Sequence, residues 1–193
     1  MTINLKNFLS SNEKTSKMGD FQELKDIQGL QVSAISADLY KNGRDDLSLF
    51  YFPEGSNYAV AYTKNSIVSE SINWNKKNKK NNIKALVVNT KNANTFTGEE
   101  GLTGLDDIAK TLLDSLKKLE SDHSFEKTKL KEILFASTGV IGEKFPVEKI
   151  KKNIPNLVSN LRINQNKLIW LKVASAIMTT DTKPKVAYSE IKI

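Results

Sequence analysis

The chain has 193 residues, of which 39% are hydrophobic, and a formal net charge of +7. This length and composition suit one globular domain over 1–193 and argue against wholesale disorder. The sequence has no cysteine, which excludes disulfides, a thiolate nucleophile and cysteine-bound zinc. Residues 1–20 are polar, with no continuous apolar block, so we predict neither a signal peptide nor a membrane span and expect a cytoplasmic protein.

The first half of the chain predicts strands joined by tight turns. Apolar runs predict strands at 30–37, 47–52 and 58–62, with turns at 42–46 and 53–56, which together form a meander. The run at 47–52 is apolar at both alternating sets of positions. Such a run is typical of a strand that is covered on both faces.

The second half mixes helices with further strands. Buried strands are predicted at 83–88 and 133–136, and a helix from Leu105 carries apolar residues at helical spacing. Further helices are predicted after Pro146 and over 165–178, and a bulged, exposed strand over 186–193 that needs a partner. The predicted class is α+β, with helices covering β-sheets.

The basic charge invites a nucleic-acid-binding interpretation, which the composition does not favour. Arg44 and Arg162 are the only arginines, whereas specific recognition of phosphate and guanine favours the arginine fork. The densest basic run, 74–82, is interpreted as a solvated loop rich in lysine and asparagine. A nucleic-acid-binding domain centred on 76–80 remains an alternative, and a steep fall of affinity with salt would support it. The single histidine, His123, is predicted in a surface loop.

Three polar segments follow buried elements, at 89–98, 137–142 and 179–185. Thr138 and Gly139 directly follow a predicted strand, where backbone N–H groups can point at an anion or a developing oxyanion. Composition alone favours a purely structural interpretation, because Gly139 can supply an unusual backbone angle and Thr138 can cap a turn. We find no metal-binding cluster and no phosphate-binding loop in the sequence.

Together these segments resemble the ornithine acetyltransferases of arginine biosynthesis. That family carries Asn-Ala-Asn-Ala-x-Thr-Gly, Ser-Thr-Gly-(Val/Leu)-Ile-Gly and Ala-Ile-Met-Thr-Thr-Asp-x-x-Pro-Lys motifs, in this order. Here they stand at Asn92 to Gly98, Ser137 to Gly142 and Ala176 to Lys185. The likeness runs from about Gly29 to the end of the chain. The departures are Thr95, where the family has alanine, and Thr90 and Lys91, where it usually has serine and glycine, so the asparagine loop is left out of the predicted site.

The resemblance implies a fold, a reaction and roles for three residues. The fold would be that of self-cleaving N-terminal-threonine acyltransferases and aminopeptidases. In this family a newly exposed threonine, with its own α-amine as base, takes acetyl from N-acetylornithine and passes it to glutamate in a ping-pong cycle. Thr138 and Gly139 would form the oxyanion hole, and Thr179 would contact the amino-acid substrate. No metal or cofactor is implied, and use of acetyl-CoA as a second acetyl donor stays open.

In this family the nucleophilic threonine and the substrate-binding lysine correspond to positions after Ile193. We therefore expect residues 1–193 to be the α chain of such an enzyme, with no nucleophile of its own. It would pair with a β chain from the same precursor, in an α2β2 assembly, and would be inactive alone. A self-cleaving aminopeptidase or amidase is the alternative enzyme, because these residues do not decide whether an amine or water resolves the acyl-enzyme.

Overall fold

The computed structural model describes residues 24–78 and 81–191; the predicted polar segment 1–20 lies outside them. Four strands form one sheet in the order β1–β2–β3–β4, namely β1 (Gln31–Ile35), β2 (Leu47–Asn57), β3 (Asn82–Asn89) and β4 (Ile133–Ser137). The first three are antiparallel neighbours, and β3 and β4 run parallel. Within the described ranges the helices are α1 (Glu70–Lys77), α2 (Gly98–Asp122), α3 (Val147–Ser159) and α4 (Lys167–Ala176), and a 3-10 turn lies at Leu130–Glu132. The predicted α+β class is confirmed.

Helices cover both faces of the sheet. On one face α2 and α3 enclose the larger core, because α2 places a fully buried leucine and isoleucine stripe against the strands. On the other face α4 packs Val173 and Ala176 against Val32 and Ala34 of β1. The prediction that residues 47–52 form a strand covered on both faces is therefore confirmed.

The predicted turn at 53–56 and the strand at 58–62 are wrong. β2 continues to Asn57 through an irregular register between Tyr51 and Ser56, and residues 58–65 have no regular secondary structure. The pairing of β1 with β2 stops at Tyr51. Pro53, which has no N–H, therefore lies where β2 no longer pairs with β1, so the proline costs no ladder bond there.

The lysine-rich run predicted as a loop contains a helix, α1, which covers the outer edge of β4. Trp74 is 1% exposed, and its indole N–H donates to the carbonyl of Ile133 at 3.1 Å. The Asn75 amide donates to the Phe135 carbonyl at 2.8 Å and accepts from the Phe135 N–H at 2.9 Å. The interpretation of a solvated loop is wrong for Trp74 and Asn75, whereas Lys76 is exposed as expected.

The carboxyl-terminal strand predicted at 186–193 is also wrong. Residues 178–191 have no regular secondary structure, Ile191 is 82% exposed, and residues 192–193 lie outside the described part. A strand of alternating pattern needs a neighbour, and the described residues provide none for this segment. His123 is exposed at the end of α2, as predicted. No helix among the described residues is long and apolar enough to span a membrane.

A buried carboxylate fixes the connection between β1 and β2. Asp46 is fully buried and accepts hydrogen bonds from the N–H groups of Ala37 (2.7 Å), Leu39 (2.8 Å) and Tyr40 (3.1 Å). Its own carbonyl accepts the N–H of Thr90 at 3.0 Å. Burial raises the pKa of Asp46, and the three N–H donors partly oppose that rise. Asp46 thereby joins the β1–β2 connection to the end of β3.

Candidate active site

The register of the sheet brings the polar segments to one end. Ile35 pairs with Leu47, Leu47 with Asn89, and Asn89 with Ser137, so these four residues form one row across the sheet. Because β3 and β4 are parallel, the segments that follow Asn89 and Ser137 leave the sheet side by side. The turn at 137–142 therefore meets the asparagine loop at 89–98.

Main-chain hydrogen bonds join this turn to the asparagine loop along its length. The Thr138 N–H donates to the Asn89 carbonyl at 3.1 Å, and the Val140 N–H donates to the Lys91 carbonyl at 3.0 Å. In return, the Ala93 N–H donates to the Val140 carbonyl at 2.9 Å. The turn is consequently held in one conformation by a neighbouring loop rather than by its own sequence alone.

Gly139 is the residue that this close approach requires. Its φ is +139°, and a Cβ atom there would lie 2.2 Å from the Lys91 carbonyl carbon and 2.5 Å from the Asn92 nitrogen. Within the described part of the chain, neither the Gly139 N–H nor the Thr138 hydroxyl has a hydrogen-bond partner. The turn thus presents two free donors in a fixed frame, next to each other in sequence.

The asparagine side chains hold the loop and the turn together. Asn92 is 3% exposed, and its amide donates to the carbonyls of Glu143 and Lys144, beyond the turn. Its side-chain oxygen accepts the Asn94 N–H at 2.8 Å. The Asn89 amide donates to the Asn92 carbonyl at 2.9 Å. The asparagine side chains thus bond to main-chain groups of the loop and of the segment after the turn.

The loop carries a lysine in a conformation that suits glycine. Lys91 has a φ of +74°, which costs a residue with a Cβ roughly 1–2 kcal/mol. We expect Lys91→Gly to raise the free energy of unfolding by about 0.5–1 kcal/mol, after the larger chain entropy of glycine is subtracted. Urea denaturation measures the change. The same substitution in the interior of α2, at the exposed Lys118, should instead lower stability by about 1 kcal/mol, and equal effects at both positions would contradict the argument.

Thr179 lies near the same end of the sheet, and no hydrogen bond among the described residues joins it to the turn. It follows α4, whose end is fixed by Arg44: the Nη2 group donates to the carbonyls of Ser175 (2.8 Å) and Met178 (2.7 Å). The Arg44 guanidinium also stacks on the ring of Tyr40, 4.5 Å from its centroid. The predicted site residues therefore share one end of the sheet without forming one cluster.

Exposed apolar side chains lie in the turn and beside it. Phe96 is 66% exposed, Ile141 60% and Val140 41%, although all three belong to segments that are otherwise held by hydrogen bonds. Phe96 also has a positive φ of +59°, which is rare for a bulky residue. A cluster of exposed apolar groups beside polar donors is typical of a surface that another molecule covers.

Comparison with known proteins decides the family. The model of the ArgJ family matches residues 31–193. The chain belongs to the ArgJ family. It is 36% identical over 172 residues to the arginine biosynthesis bifunctional protein ArgJ of Gluconobacter oxydans, covering 89% of this chain and 37% of that protein. The corresponding protein of Caulobacter vibrioides is 32% identical over 173 residues, with 88% and 40% covered. The chain thus spans about two fifths of the length of these ArgJ relatives.

Solved ArgJ structures share the fold. Ornithine acetyltransferase of Mycobacterium tuberculosis, complexed with ornithine, superposes with a TM-score of 0.71 at 25% identity, covering 83% of each chain. The bifunctional protein ArgJ of Bacillus halodurans gives a TM-score of 0.66 over 83% of this chain and 80% of that one. The resemblance stated from the three motifs is confirmed, as is the fold expected from it.

Sequence analysis missed two residues that hold segments of the candidate site. Ser71 lies on the unpredicted helix α1, and its hydroxyl is 2.7 Å from that of Ser137. Arg44 was noted only as one of two arginines, yet an arginine in a lysine-rich chain signals a position that needs the guanidinium fork. The described residues contain no group of three or more histidine, aspartate or glutamate side chains placed to hold a metal ion.

Proposed function

We propose that this chain is the α chain of an ornithine acetyltransferase that transfers acetyl from N-acetylornithine to glutamate. The observation that carries the proposal is the Thr138–Gly139 turn. It offers a free hydroxyl and a free N–H in a frame that only glycine permits, within a chain of the ArgJ family. Two adjacent donors with no partner are what the oxygen of a tetrahedral intermediate needs.

The chemistry assigns the turn to both halves of the reaction. A threonine oxygen, deprotonated by its own α-amine, attacks the acetyl carbonyl carbon of N-acetylornithine, and the carbonyl oxygen becomes an oxyanion. The Thr138 hydroxyl and the Gly139 N–H donate to that oxygen. Collapse releases ornithine and leaves the acetyl ester. The amine of glutamate then attacks the ester, and the same two donors stabilise the second oxyanion. Its collapse breaks the ester C–O bond, releases N-acetylglutamate and returns the proton of the attacking amine to the threonine.

The nucleophile, in this proposal, comes from a companion β chain, in an α2β2 assembly located in the cytoplasm. One observation supports a companion: Phe96, Val140 and Ile141 leave apolar surface exposed at the turn and beside it. Thr179 would contact the amino-acid substrate. The proposed cycle needs no cofactor, and acetyl-CoA would serve as an additional acetyl donor.

Purification from the complete natural gene, followed by intact-mass and amino-terminal analysis, tests this proposal. We expect a second chain that begins with threonine, and formation of acetylglutamate from N-acetylornithine and glutamate. Release of free acetate without acetylglutamate would instead support the amidase alternative. Acetyl transfer by residues 1–193 alone would contradict the companion chain.

Arg44 provides a test of the Thr179 assignment. Arg44→Lys removes the fork that holds the end of α4 through the Ser175 and Met178 carbonyls. Within the complete enzyme, we expect the KM for N-acetylornithine to rise about fivefold while kcat changes by less than about twofold, since binding and not chemistry is affected. The matched control is Arg162→Lys, because Arg162 makes a single exposed side-chain bond to Leu161. An unchanged KM would separate Thr179 from substrate binding.

A further inference from the structure

We propose that Ser71, Ser137 and Asn89 form a hydrogen-bond relay that positions the Thr138–Gly139 turn for oxyanion binding. This inference rests on the proposed function, and it adds positioning residues to that site. None of the three would touch the substrate. Their proposed role is to set where the two donors of the turn stand.

The donor and the acceptor of each hydrogen bond in the relay can be assigned. The Ser137 hydroxyl donates to Asn89 Oδ1 at 2.7 Å, so its single hydrogen is used. The Ser71 hydroxyl, 2.7 Å from that of Ser137, must therefore be the donor of their shared bond. The Asn89 amide hydrogens go to the carbonyls of Asn92 (2.9 Å) and Thr90 (3.3 Å), which fixes the orientation of the amide.

Two members of the relay are connected to the main chain of Thr138. Ser137 is the residue directly before it, and the Asn89 carbonyl accepts the Thr138 N–H at 3.1 Å. A displacement of either residue therefore displaces the Thr138 main chain, and with it the Thr138 hydroxyl and the Gly139 N–H. Oxyanion donors act only within about 2.7–3.1 Å of the developing charge, so small displacements there lower the rate strongly.

The first turn of α1 is anchored to both segments of the site. Ser71 reaches the turn through Ser137. The Ser69 hydroxyl donates to the Ala93 carbonyl at 2.7 Å, and the Glu70 N–H donates to the Asn94 carbonyl at 2.7 Å. One rigid element thus holds the asparagine loop and the turn in a fixed relation, as a supporting shell must do.

Satisfaction of a buried hydroxyl does not by itself account for Ser71. Thr111 and Ser115, on α2, donate to carbonyls of their own helix four residues earlier. That local bond is the usual solution for a helical hydroxyl. Ser71 is 1% exposed and bonds instead to a residue 66 positions away, at the start of the catalytic turn.

Kinetics of the complete enzyme test the relay. We expect Ser71→Ala and Ser137→Ala each to lower kcat about tenfold, with KM unchanged within about twofold, because only the stabilisation of the transition state is lost. The double variant should be no slower than Ser137→Ala alone, since one interrupted relay cannot be interrupted again. Ser115→Ala, which removes a serine bond of similar length on α2, should keep kcat.

Exchange of the Thr138 amide tests the relay without any activity. In hydrogen–deuterium exchange of the purified protein, Ser71→Ala should speed exchange at Thr138 about tenfold, whereas Ser115→Ala should not. An unchanged exchange rate, or kcat losses that multiply in the double variant, would overturn the relay. An inactive wild type whose Thr138 amide still responds to Ser71→Ala would overturn the proposed function and leave the relay standing.

Discussion

Thr138→Val is expected to lower the kcat of the proposed acetyltransferase about 100-fold, with little change in KM. Valine has nearly the shape of threonine and keeps the main-chain bond from position 138 to the Asn89 carbonyl. Only the free hydroxyl is lost. Removal of one oxyanion donor costs on the order of 3 kcal/mol of barrier, which corresponds to this loss of rate. Initial rates of acetylglutamate formation measure it.

Two further variants make this result specific. Thr138→Ser keeps a hydroxyl at the same position and should retain kcat within about fivefold. Thr103→Val makes the same chemical change on an exposed position of α2 and should have no effect on the rate. A loss of less than about threefold in Thr138→Val would remove the hydroxyl from the oxyanion hole and leave the Gly139 N–H as the single donor of this turn.

Asp46→Ala is expected to destabilise the protein by about 3–5 kcal/mol, because three buried N–H groups would lose their acceptor at once. The shift of the urea denaturation midpoint measures this change. Asp114→Ala is the matched control, since Asp114 is 70% exposed and pairs with Lys117 on the surface. The control should change stability by less than about 1 kcal/mol. Equal shifts would show that the buried contacts of Asp46 contribute nothing special.

The stability that Asp46 provides should also depend on pH. Burial raises its pKa above the ordinary value of 3.8, so the folded state holds the proton more tightly than the unfolded chain. Relative to Asp46→Asn, which does not titrate, wild-type stability is therefore greatest below 3.8 and falls as the pH rises through the folded-state pKa. Neighbouring Asp45 titrates in both proteins; burial is the largest cause of its raised pKa, and the charge of Asp46 is a lesser one. A difference that grows in favour of wild type with rising pH would contradict the sign.

Sequence periodicity predicted the elements that their own residue pattern is enough to specify. The apolar stripe of α2 and the doubly covered run at 47–52 follow from periodicity alone, and both are confirmed. The helix α1 does not follow from periodicity, since lysine and asparagine dominate its sequence. Burial of Trp74 depends on the free edge of β4, which lies about sixty residues further along the chain. The strand predicted at 186–193 failed for the converse reason, because a suitable pattern found no neighbour.

The residues of the candidate site also divide into those that the sequence predicts and those that only the folded chain reveals. Thr138 and Gly139 could be selected from the sequence because strand, hydroxyl and glycine are consecutive and belong to a family motif. Ser71 could not, since its relation to Ser137 exists only after the chain has folded. The main chain at Lys91 makes glycine obligatory at position 139. From the sequence, Lys91 could be recognised only as a departure from the family motif.

The contact between α1 and β4 has a consequence for self-association. Asn75 satisfies both main-chain groups of Phe135 with a single amide, in the place where another strand would otherwise pair. Most sheet edges are protected by charge, by proline or by a covering segment, each of which tolerates single substitutions. Here one side chain provides both bonds, so its loss would free a donor and an acceptor together on an apolar strand. At Phe135 the protection of the β4 edge against pairing with another chain therefore depends on one asparagine, while Trp74 and Ser71 cover the edge at Ile133 and Ser137.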